Sequence, residues 1–203
     1  MRSFSEIETT TKSASKAAGF SWGIAEEIGK SIRSLELFGL PGIINLNNYL
    51  KKIKKKHPKK IGKIEKENKT EGKELCPIYS GVAFLDRCLE VEKLKSLKFY
   101  NVNYPLLMIP FISRASEIMS KKILVQYDNT SFLLNFDKSI FSKNIDTQAQ
   151  SLANLVNIEF IENKNSFSEQ DWKELYKLSE ETFVDESDSS KAGAAGAGLT
   201  DND

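Results

Sequence analysis

Two short helices joined by a glycine turn are the structure that the first forty residues specify most firmly. Ser3 followed by Glu6 has the spacing of a capping box, and Ser21 precedes a second segment of helical periodicity. A glycine follows each segment, at Gly19 and Gly39, where helices ordinarily end. The chain is therefore predicted to begin with an antiparallel helical hairpin.

Apolar and small residues at helical spacing predict which faces of the two helices meet. The residues predicted to face inward from the second helix are Trp22, Ala25, Ile28, Ile32 and Leu35. The small residues predicted to let the helices approach closely are Ala14, Ala17, Ala18, Ala25 and Gly29.

The remainder of the chain alternates between helical and strand-like patterns. Helical patterns cover residues 43–53, 78–89, 105–119 and 168–178. Strand-like patterns cover residues 97–102, 123–127, 132–136 and 155–161, with a turn at Asp128-Asn129. The predicted fold class is α+β, with the N-terminal helical hairpin, a central mixed or antiparallel sheet with flanking helices, and a flexible Gly/Ala-rich C-terminal tail.

Charge is distributed unevenly although the net charge of the 203 residues is +1. Residues 51–73 contain 11 lysines and 3 glutamates, whereas residues 169–203 contain 10 acidic residues and 3 lysines. Few large apolar residues accompany these lysines, which is typical of a solvated loop. Four regions of one domain are predicted: a hairpin region at 1–50, a Lys-rich flexible loop at Lys51–Lys73, an α/β core at 74–183 and an acidic tail at 184–203.

The scarcity of histidine and cysteine disfavours several kinds of active site. His57 is the only histidine and lies among the lysines, which argues against histidine-based catalysis and against a zinc site. Cys76 and Cys88 lack a metal-binding spacing and are expected to be reduced thiols. Cys76 precedes Pro77 and a predicted helix, where a nucleophilic thiolate is one interpretation and structural burial is the favoured one.

The sequence also narrows the partners and the location of the protein. No aromatic residue lies within residues 51–73, so base stacking has no group to use there, and nucleic-acid binding is disfavoured. The longest nearly apolar run, residues 104–112, is too short for a membrane span of about 20 residues. The first residues have no apolar core, so a cytoplasmic location is predicted.

Acidic residues at the start of the second helix form the first candidate site. Glu26 lies one turn after Trp22, so a carboxylate and an indole can share a helix face, and Glu27 follows directly. Together with Glu8 of the first helix, two carboxylates could converge as a general acid–base pair or on a divalent cation. The simpler interpretation, which is favoured, makes Trp22 a core residue and both glutamates partners of the helix dipole.

The C-terminal twelve residues, 192–203, form the second candidate site. Glycine and alanine permit close approach to another backbone, and the acidic end can bind a cation or a basic groove. A loose solvated tail is the alternative. The predicted interaction residues are Trp22, Gly196, Gly198, Thr200 and Asn202. The candidate catalytic residues are Glu8, Glu26, Glu27 and Asp201, and the candidate metal ligands are Glu26, Asp201 and Asp203.

Both ends of the chain carry a resemblance. The segments that carry it are SEIETT at 5–10, AAGFSWGIAEEIGK at 17–30, Cys76-Pro77, and AGAGLTDND at 195–203. Together they resemble a bacterial family that is known only as a domain of unknown function. The resemblance implies no activity, fold or cofactor, but it implies that the two ends recur as a set. On that basis Trp22, Glu26, Glu27 and the terminal Asp-Asn-Asp would belong to one site. The lysine-rich loop has no counterpart in the resemblance.

Two functions stay open at this point. The first is a non-enzymatic accessory or assembly module that recognises a protein partner or a second copy through the hairpin and the C-terminal tail. The second is a small enzyme with a carboxylate site, with or without a divalent metal, built from Glu26, Glu8 and the terminal aspartates. No cofactor or small-molecule ligand is assigned by the sequence.

Overall fold

The computed structural model describes residues 2–53, 58, 60–70, 74–137, 139–143 and 150–182. Its helices are α1 (Phe4–Ala17), α2 (Trp22–Leu37), α3 (Gly42–Ile53), α4 (Pro77–Asp86), α5 (Cys88–Val91), α6 (Ile109–Met119) and α7 (Glu169–Glu180). Its strands are β1 (Glu67–Asn68), β2 (Ser96–Asn103), β3 (Lys122–Tyr127), β4 (Thr130–Leu134), β5 (Ile140–Lys143) and β6 (Leu152–Ile161). The predicted α+β class is confirmed.

The strands form one mixed sheet in the order β1-β2-β6-β3-β4-β5. The first pair, β1 and β2, is parallel, and the remaining pairs are antiparallel. Phe99, Val125 and Ile158 are fully buried on the face of the sheet that forms the core. One row of residues in register crosses β2, β6 and β3 and consists of Lys98, Asn157 and Gln126. Lys98 and Gln126 are exposed.

The helical hairpin forms where its sequence signals predicted it. The hydroxyl of Ser3 accepts a hydrogen bond from the backbone N–H of Glu6, and that of Ser21 accepts one from Ile24. Gly19 and Gly39 have φ angles of 108° and 69°, which end α1 and α2 in backbone conformations that favour glycine.

The face of α1 that meets α2 follows the helical spacing at Thr11 but differs from the predicted face at two of its alanines. Ala14 and Ala17 are exposed, whereas Thr11 and Ser15 are buried. The Thr11 hydroxyl donates to the backbone oxygen of Ile7 at 2.7 Å, so the side chain can be buried without losing its hydrogen bond. Small polar residues thus replace alanine in the seam between the helices.

Two other local predictions need correction. Trp22 is not a core residue, because 60% of it is exposed at the first turn of α2. Leu89, expected to face inward, is 61% exposed, because the helix predicted over residues 78–89 ends at Asp86 and the separate short helix α5 follows. Pro110, expected to be either a kink or a boundary within residues 105–119, is a boundary: it lies in the first turn of α6, where no N–H is needed.

Part of the lysine-rich segment contributes to the sheet. Glu67–Asn68 forms β1, a strand that the loop prediction did not include. The Asn68 side chain is buried and donates to the backbone oxygens of Glu65 and Lys98, at 2.7 and 3.2 Å. The Asn68 side chain therefore adds to the backbone hydrogen bond that the Lys98 N–H donates to the Lys66 oxygen at 2.9 Å. His57 lies outside the described residues.

The chain divides into two compact units, Met1–Asn163 and Lys164–Asp203. In the second unit, Ser168 and Asp171 form the predicted capping box of α7, with both reciprocal hydrogen bonds present. Phe167 stacks on Trp172 with the ring centroids 5.6 Å apart. None of the residues of α7 is buried.

Candidate functional site

Ion pairs link α1 to α2 along the outer surface of the hairpin. Arg33 of α2 donates to the Glu8 carboxylate at 3.0 Å. Glu26 lies between Lys12 of α1, at 3.4 Å, and Lys30, at 3.1 Å. These two lysines lower the pKa of Glu26 through hydrogen bonds and charge. The Glu26 carboxylate is therefore held as an anion between two cations.

A second ion pair joins α2 to α6. The Arg114 guanidinium donates to the Glu27 carboxylate, which also lies 3.3 Å from the Lys30 ammonium. Burial acts to raise the pKa of Glu27, but the hydrogen bonds from Arg114 and Lys30 outweigh it and hold the pKa below its usual range. Arg114 also lies over the ring of Phe111, 5.2 Å from its centroid.

Each candidate catalytic glutamate of the hairpin is paired with a cation. Glu8 contacts Arg33, whereas Glu26 and Glu27 share Lys30 and Glu27 also contacts Arg114. A general base needs a free lone pair and a pKa near the working pH, whereas Glu26 and Glu27 have lowered values. Within the described ranges, no three His, Cys, Asp or Glu side chains are grouped to hold a metal ion.

A cleft lies beside this network, between α2 and α6. Its volume is about 420 Å³. The cleft is lined by charged side chains (Glu8, Lys30, Arg33, Arg114, Glu117), serines (Ser31, Ser34, Ser113) and apolar residues (Leu37, Phe38, Pro110). Three cations and two anions thus face a concave surface, with hydroxyl groups between them.

Two polar groups of this cleft are buried without a hydrogen-bond partner among the described residues. They are the hydroxyl of Ser31, a residue that is 3% exposed, and the Nη2 of Arg114. A buried donor that lacks a partner carries a desolvation cost of about 1–3 kcal/mol. A ligand that accepts hydrogen bonds after a small rotation of either side chain would remove that cost.

The remaining sequence-predicted residues lie elsewhere. Trp22 is exposed at the first turn of α2, and the Lys16 ammonium lies over its ring at 5.3 Å. The predicted C-terminal residues, Gly196, Gly198, Thr200, Asp201, Asn202 and Asp203, fall outside the described part of the chain. The prediction that they join the hairpin site stays untested.

The interpretation of Cys76 as a nucleophile is not supported. Cys76 is buried, and its sulfur accepts hydrogen bonds from the Tyr49 hydroxyl at 2.9 Å and the Tyr79 N–H at 3.4 Å. Burial raises the pKa of the Cys76 thiol to about 11, so the thiolate is not formed at neutral pH. Cys76 and Cys88 are both buried free thiols.

Sequence reasoning did not identify Arg33 and Arg114 as residues of a site. The chain has only four arginines, and two of them, Arg33 and Arg114, line the cleft. Arginine scarcity was a usable signal, because each remaining arginine then merits individual attention. Nothing local, however, could pair Arg114 with Glu27, since 87 positions separate them and the contact depends on how α6 packs on α2.

The N-terminal part of the chain, which includes the hairpin, is similar to a family without an assigned role. Residues 2–76 match the model of the family described as Protein of unknown function (DUF3726). The resemblance to an uncharacterised family is thereby confirmed over residues 2–76. This match includes the lysine-rich segment, for which the resemblance had offered no counterpart, and it does not extend to residues 195–203. No curated protein and no solved structure matches this chain.

The DUF3726 match ends at Cys76, directly before α4. It covers α1, α2, α3 and β1, and it includes Glu8, Glu26, Glu27 and Arg33 but not Arg114. The α2 wall of the cleft therefore lies within the matched region and the α6 wall beyond it. Over the described residues, no helix has the length and apolar character needed to cross a membrane.

Proposed function

We propose that this protein is a non-enzymatic binding module whose cleft between α2 and α6 holds a small anionic molecule. The observation that carries the proposal is Arg114, which is held between α6 and α2 with one terminal nitrogen on Glu27 and the other buried without a partner. Arginine recognises carboxylates and phosphates through two parallel donors. In this protein the Nη1 of Arg114 donates to Glu27, and its Nη2 has no partner among the described residues.

The serines of the cleft support the same conclusion. Ser31, Ser34 and Ser113 line it together with Lys30 and Arg33, so hydroxyl donors stand beside cations on a concave surface. Small-molecule sites are typically clefts in which a few convergent polar groups set the orientation of the ligand. The carboxylates of the hairpin are already neutralised by lysine and arginine, which favours binding over acid–base catalysis.

A matched pair of arginine variants tests this function. Arg33 and Arg2 each donate to a glutamate, at 3.0 and 2.9 Å, but only Arg33 lines this cleft. We expect inorganic phosphate, pyrophosphate and octanoate, compared at constant ionic strength, to include at least one anion that raises Tm saturably. Arg33→Gln should weaken that effect at least fivefold, whereas Arg2→Gln should leave it unchanged. The absence of any shift, or equal loss in both variants, would contradict the proposal.

The predicted role of the C-terminal residues is kept as part of this proposal. A cleft that takes anions can also receive acidic side chains, and Asp201 and Asp203 end the chain. If the tail competes for the cleft, deletion of residues 192–203 tightens binding of the anion. If binding is unchanged, the tail does not contribute to this site. The cytoplasmic location and the protein partner or second copy stay predictions from the sequence.

A metal-dependent carboxylate enzyme is the competing function. Metal analysis of the purified protein, with Tm measured in Mg²⁺, Mn²⁺ and Ca²⁺, separates the two. Binding of the anion without any effect of these cations is the result that we expect. A saturable shift with one divalent cation, lost in Glu26→Gln, would support the enzyme instead.

A further inference from the structure

The lining of the cleft changes character along α2. Lys30 and Ser31 stand at one end, and Leu37 and Phe38 stand at the other, with Arg33 and Ser34 between them. Eight residues of an α-helix span about 12 Å. The cleft is thus polar and basic at one end and apolar about 12 Å away.

The apolar end is open to solvent. Leu37 is 58% exposed and Phe38 is 39% exposed, although Pro110 of α6 is buried beside the same cleft. Large exposed apolar side chains that line a concave surface are typical of a ligand-binding groove. Since scattered apolar residues on a surface need no explanation, it is their place in this cleft that matters.

We infer that the ligand is an amphiphilic anion, a single alkyl chain that carries one carboxylate. This inference deepens the proposed function and rests on it. The headgroup lies at the Lys30 and Arg114 end, where the unpartnered Arg114 nitrogen and the Ser31 hydroxyl donate hydrogen bonds to it after a small rotation of each side chain toward the cleft. The chain extends along α2 over Ser34 and covers Leu37 and Phe38.

Charge and shape together favour a single molecule over a membrane surface. A bilayer contacts convex, protruding side chains, whereas Leu37, Phe38 and Pro110 line a cleft. The positive charge is also local, because Lys30 and Arg33 are each beside a glutamate. Attachment to an anionic bilayer needs a cluster of unpaired basic residues.

A series of straight-chain carboxylates tests the inference. Calorimetric titration with butyrate, hexanoate, octanoate and decanoate should show Kd falling about two- to fourfold for each added methylene. The gain in affinity should stop once the alkyl chain is longer than the cleft. Octylammonium, which has the same chain and the opposite charge, should bind at least tenfold more weakly than octanoate. A Kd that does not depend on chain length would overturn the inference.

Two leucine variants test whether the alkyl chain of the ligand lies along Leu37. Leu37 lines the cleft, whereas Leu89 of α5 is exposed to the same extent elsewhere, at 61% against 58%. Leu37→Gln should weaken octanoate at least fivefold and leave phosphate binding unchanged, and Leu89→Gln should change neither. Equal effects of the two variants would contradict the assignment of the chain to this cleft.

The outcomes separate this inference from the function on which it depends. Phosphate binding that requires Arg33, combined with octanoate binding no tighter than that of butyrate, would refute the amphiphile and keep the anion site. Failure of every anion would refute both. Sedimentation with phosphatidylglycerol vesicles in the absence of octanoate binding would indicate a membrane surface and overturn the single-molecule assignment.

Discussion

The helices α2 and α7 have the same kind of N-cap but differ in the number of residues that they bury. Each has a serine N-cap, Ser21 or Ser168, whose hydroxyl accepts a hydrogen bond from a backbone N–H of the first turn. Both also carry apolar residues at helical spacing. Yet α2 buries six residues, from Ala25 to Leu35, whereas α7 buries none.

The difference shows what local sequence signals specify. Caps and periodicity decide that a segment is helical, whereas burial depends on the elements that pack against it. The helix α2 lies against α1, α3 and α6, which cover its apolar stripe. The apolar residues of α7, Trp172 and Leu175 among them, stay at the surface of the second unit.

The largest expected effect comes from the core side of α2. Ile32→Ala removes a side chain that is 1% exposed, and we expect a loss of about 2–5 kcal/mol in the free energy of unfolding. Leu175→Ala in α7 removes one that is 62% exposed and should cost about 0.5 kcal/mol or less. Urea denaturation measures both. Equal costs would mean that α2 and α7 do not differ in burial as described.

The close approach of α1 and α2 gives a second test within one helix. A Cβ at Gly29 would lie 2.8 Å from the backbone oxygen of Glu8, whereas nothing lies within 4 Å of one at Gly23. Gly29→Ala should destabilise the protein by about 1–3 kcal/mol because α1 must move. Gly23→Ala should stabilise it by about 0.4–1 kcal/mol. The same sign for both variants in urea denaturation would rule out the tight seam.

The caps give a smaller effect that separates the two helices. Ser21→Ala should lower the free energy of unfolding by about 1 kcal/mol, since α2 belongs to the core. Ser168→Ala should leave the main unfolding transition unchanged and speed hydrogen exchange within α7 alone. The contrast fails if Ser168→Ala shifts the midpoint of urea unfolding as much as Ser21→Ala does.

The pair between Glu27 and Arg114 predicts a dependence on pH. The folded-state pKa of Glu27 lies below the ordinary value of 4.5, so its contribution is present above that pH and is lost as the pH falls through the folded value. Glu27→Gln should cost about 1 kcal/mol or less at pH 7. The difference from wild type should vanish under acid conditions. A constant difference down to pH 2 in thermal unfolding would exclude this origin.

Much of the fold follows from local signals, and the parts that do not are long-range contacts. The caps at Ser3, Ser21 and Ser168 and the β3–β4 hairpin were predictable because short-range chemistry determines them. Strand β1 was missed because two residues in a lysine-rich segment carry no periodicity, and its partner Lys98 in β2 lies 30 positions from Asn68.

The candidate site was only partly predictable. The glutamates of α2 were candidate site residues in the sequence analysis, either as part of a carboxylate site or, as favoured there, as partners of the helix dipole. Their partners, Arg33 and Arg114, lie 25 and 87 positions away from the glutamates that they contact. For Trp22, the helical spacing predicted burial, but the first turn of α2 is exposed to solvent and so is the indole.

The most direct test of the account is to locate the bound anion by NMR. In a ¹H–¹⁵N titration with octanoate, the account predicts saturable shifts confined to the amides of Ser31, Ser34 and Leu37 in α2 and of Ser113 and Arg114 in α6. The same residues should lose these shifts together in Arg33→Gln. Shifts centred on α7 or on the sheet, or no saturable shift at all, would contradict the claim that this cleft binds an anion.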